Sequence, residues 1–246
     1  MDLVDVHIIQ EFEKKAKNQG VPYASMILLR HLGIDTIEIK GEIPASGPLL
    51  IISNHPGAVD SIVIFATVYR KDFYKVVLKE HFVLGNTIES QMIPIYRGRT
   101  KRDQLIKQFL QLYIPQLKDL PSLEIRRRNR ESITLAAKRI NQKHAVVIFP
   151  EGSAGKRMQG KRWKIGVGYL AEQVIEPRAQ IIFAYISGTH KLDILRYLHR
   201  SIRNLLFRKK TVSVTFSKPE LLKKYITGTP RDTAIALEKR FKEIYS

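Results

Sequence analysis

His55 and Asp60, five residues apart in Ser53-Asn54-His55-Pro56-Gly57-Ala58-Val59-Asp60-Ser61, are the side chains of this sequence best suited to move a proton. An imidazole titrates near neutrality and can take a proton from a hydroxyl, while a carboxylate beside it fixes the tautomer and balances the charge that develops. On a regular helix the two would point about 140° apart, since each residue advances about 100°. They meet only if the chain bends between them, and Pro56-Gly57 supplies a bend. The bland alternative is a surface histidine beside a helix-capping aspartate. Stepping outward, the apolar run Leu49-Leu50-Ile51-Ile52 predicts a strand, and Ile62, Phe65, Ala66 and Tyr69 share one helical face, so the pair belongs to a strand-to-helix turn. In α/β proteins such turns open onto the crevice beyond the carboxyl ends of the strands.

A second apolar strand, Ala145-Val146-Val147-Ile148, runs into Phe149-Pro150-Glu151-Gly152-Ser153, a turn with a carboxylate, a flexible glycine and a hydroxyl. Asn54-His55 followed by Asp60, then Phe149-Pro150-Glu151-Gly152, resembles the glycerophospholipid acyltransferase family. Ile93-Pro94-Ile95-Tyr96-Arg97 is similar to that family's intervening strand and phosphate-binding arginine, and Lys164-Ile165-Gly166 to its Lys-x-Gly stretch. Four such blocks in the family's order, spread from about Ile37 to Phe216, make the resemblance specific.

The resemblance implies direct attack of an acceptor hydroxyl on an acyl thioester, with no acyl-enzyme. His55 would be the base, Asp60 its orienting carboxylate, and Asn54 a fixture of the turn. Glu151, Gly152 and Ser153 would hold the acceptor or the neighbouring loop, with backbone N–H groups after Phe149 as oxyanion donors. Arg97 would grip a phosphate with its planar fork and is preferred to Arg130 because it directly follows a strand. The expected acceptor is a lysophospholipid, 1-acylglycerol-3-phosphate first, and the donor acyl-CoA or acyl carrier protein, with no metal or organic cofactor. The other acceptors left open are glycerol-3-phosphate and a lyso-aminolipid. The family's Glu-Gly turn continues Thr-Arg-Ser, whereas this chain has Ser153-Ala154-Gly155, so Lys156 or Arg157 would have to replace the missing arginine.

The loop from Lys156 through Arg157, Lys161, Arg162 and Trp163 to Lys164 mixes five cations with an indole, a composition suited to lipid headgroups; a packed Trp under a solvated basic loop is the alternative. A second basic set comprises Arg196, Arg200, Arg203, Arg208, Lys209 and Lys210. The net charge of +19 calls for an anionic partner. No nucleic-acid-binding module is legible, so an anionic membrane surface leads, with a non-enzymatic basic RNA- or membrane-binding protein as the competing class. No apolar run reaches the roughly twenty residues of a membrane span. With no cysteine there is neither a disulfide framework nor a thiolate nucleophile, and the expected location is cytoplasmic, peripheral to the inner face of the membrane. His7, His31, His81, His144, His190 and His199 lack the paired spacing of a zinc site.

At 246 residues and 44% hydrophobic content, one α/β domain over 34–246 with a helical appendage over 1–33 is expected. Seven strands alternating with helices predict a mainly parallel or mixed seven-stranded sheet flanked by helices. Residues 101–128 read as a helical insertion, after which Asn129 would cap a helix through Ile133, Ala136 and Ala137. Thr229-Pro230-Arg231-Asp232 is a helix opening, with Ile235, Leu237, Phe241 and Ile244 as the packing face.

Overall fold

Leu49–Ser53 forms a strand, β2, buried at every residue. It is covered on both sides: Leu49 and Ile51 enter one apolar core, Leu50 and Ile52 the other, as the two-residue repeat of a strand requires. The computed structural model describes residues 6–57, 59–79, 85–97, 120–152, 162–190 and 210–245. Within them the other strands are β1 (Ile34–Lys40), β3 (Phe73–Leu78), β4 (Met92–Ile95), β5 (Ala145–Ile148), β6 (Gln180–Ser187), β7 (Lys210–Phe216) and β8 (Glu220–Leu221). The sheet has eight strands, ordered β1-β7-β6-β2-β5-β3-β4, with β8 beside β6. All seven expected strands are present; the eighth is a two-residue strand with no apolar run to announce it. Pairing is parallel except where β7 and β8 meet β6. The ends of β2, β5, β3 and β4 therefore open on one edge.

Helices α1 (Val6–Gln19), α2 (Val21–His31) and α3 (Asp60–Thr67) cover one face, and α4 (Asn86–Glu89) lies against α1. Gly20 breaks α1 from α2 at a φ of 91°, a value open to glycine. Phe12, Ala16, Val21, Ala24, Leu28 and Leu29 lie in the same core as β2 and β5. The apolar faces of this N-terminal pair point inward onto that core. Phe65 and Ala66 are buried as expected and Ile62 packs against the same core, but Tyr69 lies past the end of α3 and is exposed; Val63 and Ile64 are buried as well.

On the other face lie α5 (Ser122–Asn141), α6 (Gly166–Glu172) and α7 (Pro230–Tyr245). Helix α5 begins seven residues before Asn129, so Asn129 is an interior residue and not its cap, and Arg126, Arg127 and Arg128 are part of this helix. Of the expected insertion, 101–119 lies outside the described residues. Helix α7 opens as expected: Asp232 Oδ2 accepts from the Thr229 hydroxyl at 2.7 Å and from its N–H at 3.0 Å. Leu237 is buried, but Ile235 faces solvent. Where α6 passes α7, a Cβ on Gly168 would lie 1.8 Å from the Pro230 carbonyl oxygen, so only glycine permits the contact. Among the described residues no helix is long and apolar enough to cross a membrane.

Candidate active site

The turn after β2 is fixed before its histidine. Asn54 donates to the Ile186 carbonyl at 2.9 Å and accepts from the Ile186 N–H at 2.7 Å, so its amide acts as one more ladder step between β2 and β6. The chain then folds back through Pro56-Gly57 until Asp60, the first residue of α3, faces His55. His55 Nδ1 lies 2.8 Å from Asp60 Oδ2, and the same oxygen accepts the Gly57 N–H at 2.7 Å. Gly57 is needed for space: a Cβ there would stand 2.7 Å from the Thr189 carbonyl oxygen. Asp60 is fully buried while the His55 side chain is 14% exposed, so the ring lies at the wall of the crevice with its carboxylate behind it. With Nδ1 on Asp60, Nε2 makes no hydrogen bond to the described residues.

The turn after β5 comes to the same place. Glu151 Oε1 accepts the His55 backbone N–H at 3.3 Å, and the Phe149 ring stacks on the imidazole with centroids 4.5 Å apart. Glu151 is thus bonded to the backbone of the neighbouring turn. Burial pushes its carboxyl up to about 7; the His55 N–H opposes the shift, and the charges of Asp60 and Glu238 add to it. Gly152, at a φ of 75°, gives its own N–H to the Phe149 carbonyl at 3.1 Å. That amide is therefore removed from the expected oxyanion donors.

Arg97, exposed, follows β4 three strands from β2. At about 4.8 Å per strand, β4 is set roughly 14 Å sideways from β2. Asn129 anchors that position: its amide donates to the Tyr96 carbonyl and accepts the Tyr96 N–H, both at 2.7 Å. Ser132 adds a hydrogen bond to the Pro94 carbonyl, and Arg128 lies over the Tyr96 ring. Arg130, the rival, is exposed on α5. Ser153, Ala154, Lys156, Arg157 and Lys161 lie outside the described residues, as do Arg196, Arg200, Arg203, Arg208 and Lys209. Arg162 is exposed. Trp163 corrects the headgroup expectation: it is 5% exposed, packs on Phe241 at 5.4 Å and gives its backbone N–H to Glu238. An apolar ring joined to a helix by packing and hydrogen bonding is core.

One residue of the site had no place in the sequence reading. Lys75, in the middle of β3, is fully buried beneath Phe149, its Nζ 4.9 Å from that ring's centroid and 5.6 Å from that of Phe65. The available signal was a lysine inside the otherwise apolar run Phe73-Tyr74-Lys75-Val76-Val77-Leu78.

An imidazole held by a buried carboxylate has the geometry to accept a proton, and the sequence matches the Acyltransferase family over residues 36–187, more than half of the chain. The chain belongs to the acyltransferase family. It is an acyltransferase enzyme, and the matched stretch contains His55, Asp60, Arg97 and Glu151. None of the curated proteins matches the sequence. Among solved structures, the acyltransferase chain resembles the crystal structure of the 1-acyl-sn-glycerophosphate (LPA) acyltransferase PlsC from Thermotoga maritima. The TM-score is 0.49 at 16% identity, over 97% of this chain and 80% of that one.

Proposed function

We propose that the protein is a membrane-associated O-acyltransferase that moves a fatty acyl chain from an acyl thioester, acyl-CoA or acyl carrier protein, to the free hydroxyl of a lysophospholipid, 1-acylglycerol-3-phosphate, giving phosphatidic acid. The observation that carries the reading is the 2.8 Å contact between His55 Nδ1 and Asp60 Oδ2, which turns Nε2 away from the carboxylate. His55 Nε2 takes the acceptor's hydroxyl proton as its oxygen attacks the thioester carbonyl carbon. Asp60 steadies the imidazolium that results. The tetrahedral intermediate collapses, the carbon–sulfur bond breaks, and the thiolate leaves with the proton that His55 had taken. No covalent enzyme intermediate is needed.

Arg97 would bind the acceptor's phosphate at the far end of the strand edge, fixed there through Asn129. The basic segments after Gly152 and after His190, together with the net charge of +19, suit approach to an anionic membrane surface. Ala154, where the family has arginine, favours one second reading: an acceptor without a phosphate at that point, as in a lyso-aminolipid.

The test is transfer from a labelled acyl thioester to a panel of 1-acylglycerol-3-phosphate, glycerol-3-phosphate and lyso-aminolipid. His55→Ala and Asp60→Asn are each expected to lower turnover by about 1,000-fold or more while circular dichroism shows an intact fold. A folded His55→Ala protein with normal turnover would overturn the mechanism.

A further inference from the structure

Two polar atoms under the dyad have no hydrogen-bond partner: Asp60 Oδ1 and Lys75 Nζ, both shut away from water. A buried carboxylate oxygen and a buried amine are each costly to leave unpaired, and here they come from α3 and β3 and interact electrostatically across the floor of the site. Lys75 Nζ stands over the face of Phe149, and the same ring stacks on His55. The charged groups facing the dyad among the described residues are therefore Asp60 from α3, Glu151 from the turn after β5 and Lys75 from β3, with Glu238 of α7 facing Glu151.

We propose that Lys75 is a positioning residue for the reaction: its amine, held between Phe65 and Phe149, competes with the His55 imidazolium for the single negative charge of Asp60 and so sets the pH at which His55 becomes able to accept a proton. This rests on the reading of His55 as the base. The physical reason is charge counting in a site closed to water. On the acid side, where Glu151, raised to about 7, is neutral, a protonated Lys75 already gives Asp60 a counter-ion, and a proton on His55 leaves the cluster with a net positive charge. With Lys75 neutral, the same proton completes a neutral pair. A charged Lys75 keeps His55 unprotonated, and thus competent, further into acid. Burial draws the Lys75 amine down to about 7, against the pull of Asp60.

Lys75→Met removes the charge and keeps the length of the side chain. Its rate–pH profile for acyl transfer is expected to have an acid limb displaced upward by about one pH unit, with turnover on the alkaline plateau retained. An ¹⁵N NMR titration of the His55 ring should move by the same amount without reference to substrate. Lys75→Gln provides a second neutral variant should the Met protein prove insoluble. A purely structural Lys75 would alter the yield of folded protein and leave both midpoints in place, and that result overturns the proposal. The His55→Ala control separates the two failures: if it turns over normally the base reading falls, while the NMR titration still reports whether Lys75 acts on His55.

Discussion

At Glu151 the same burial that brings the carboxylate to His55 makes its charge costly. A carboxyl pushed up to about 7 in the fold from an unfolded value near 4.3 contributes no penalty below that lower value. Stability is then lost as pH rises from about 4 to 7, and the loss is complete above. Glu151→Gln keeps an oxygen for the His55 N–H, and its NH2 takes the place of Oε2, which has no partner in the wild type. The variant should therefore melt with the wild type near about pH 4 and roughly 2–4 °C higher near about pH 8, for a gain of about 1 kcal/mol. Calorimetry at the two pH values checks this, and a lower melting temperature at the higher pH would show that the ionised form is held by contacts that offset its desolvation. His55, Asp60 and Glu151 were legible as single residues because His55 and Glu151 each follow a recognisable strand and Asp60 opens the helix after the first. Lys75 was not, since a lysine in an apolar strand shows its role only when α3 and the Phe149 turn are folded over it. Trp163 was ambiguous for the opposite reason: an indole among cations suits lipid or core equally, and only the arrival of Phe241 decides.

The elements that carry the site are held by amides acting at a distance. Asn54 extends the ladder between β2 and β6, and Asn129 does the same between α5 and the end of β4. Asn129 looked like a helix cap because Asn is a frequent capping residue. Its true partner, Tyr96, is 33 residues away, and nothing local reveals such a pairing. If Arg97 binds the acceptor phosphate, loosening that anchor should weaken binding more than chemistry. Asn129→Ala is expected to raise KM for 1-acylglycerol-3-phosphate about tenfold with kcat changed less than about twofold, in line with the roughly 1–3 kcal/mol cost of unpairing buried polar groups. Steady-state kinetics with the acceptor varied would show it, and a fall in kcat at unchanged KM would count against Arg97. The strands themselves were read directly from runs such as Leu49–Ile52, whereas the start of α5 was hidden by Arg126, Arg127 and Arg128, which are solvated and carry no apolar period.

On the scale of the whole molecule, the dominant property is charge. A net +19 attracts anionic surfaces over a distance set by salt, about 10 Å at 0.1 M and about 3 Å at 1 M. The protein should therefore sediment with vesicles of mixed phosphatidylglycerol and phosphatidylcholine at low salt and be released at about 1 M salt, while vesicles of phosphatidylcholine alone retain little. Retention on the neutral vesicles at high salt would instead mean that apolar insertion holds it.

Helix α7 bears on the site through Glu238, which also holds Trp163, 75 residues away in the sequence. Glu238 takes the Trp163 N–H and adds to the charge felt by Glu151, while the Tyr245 hydroxyl reaches the Phe183 and Thr215 carbonyls. Gly152 is fixed in the turn that carries Glu151, and Trp163 is fixed to this helix. A fusion or truncation that peels α7 from the sheet would release the Trp163 N–H and take the Glu238 charge away from Glu151, so a lesion far from His55 in the sequence would surface at the turn that holds it.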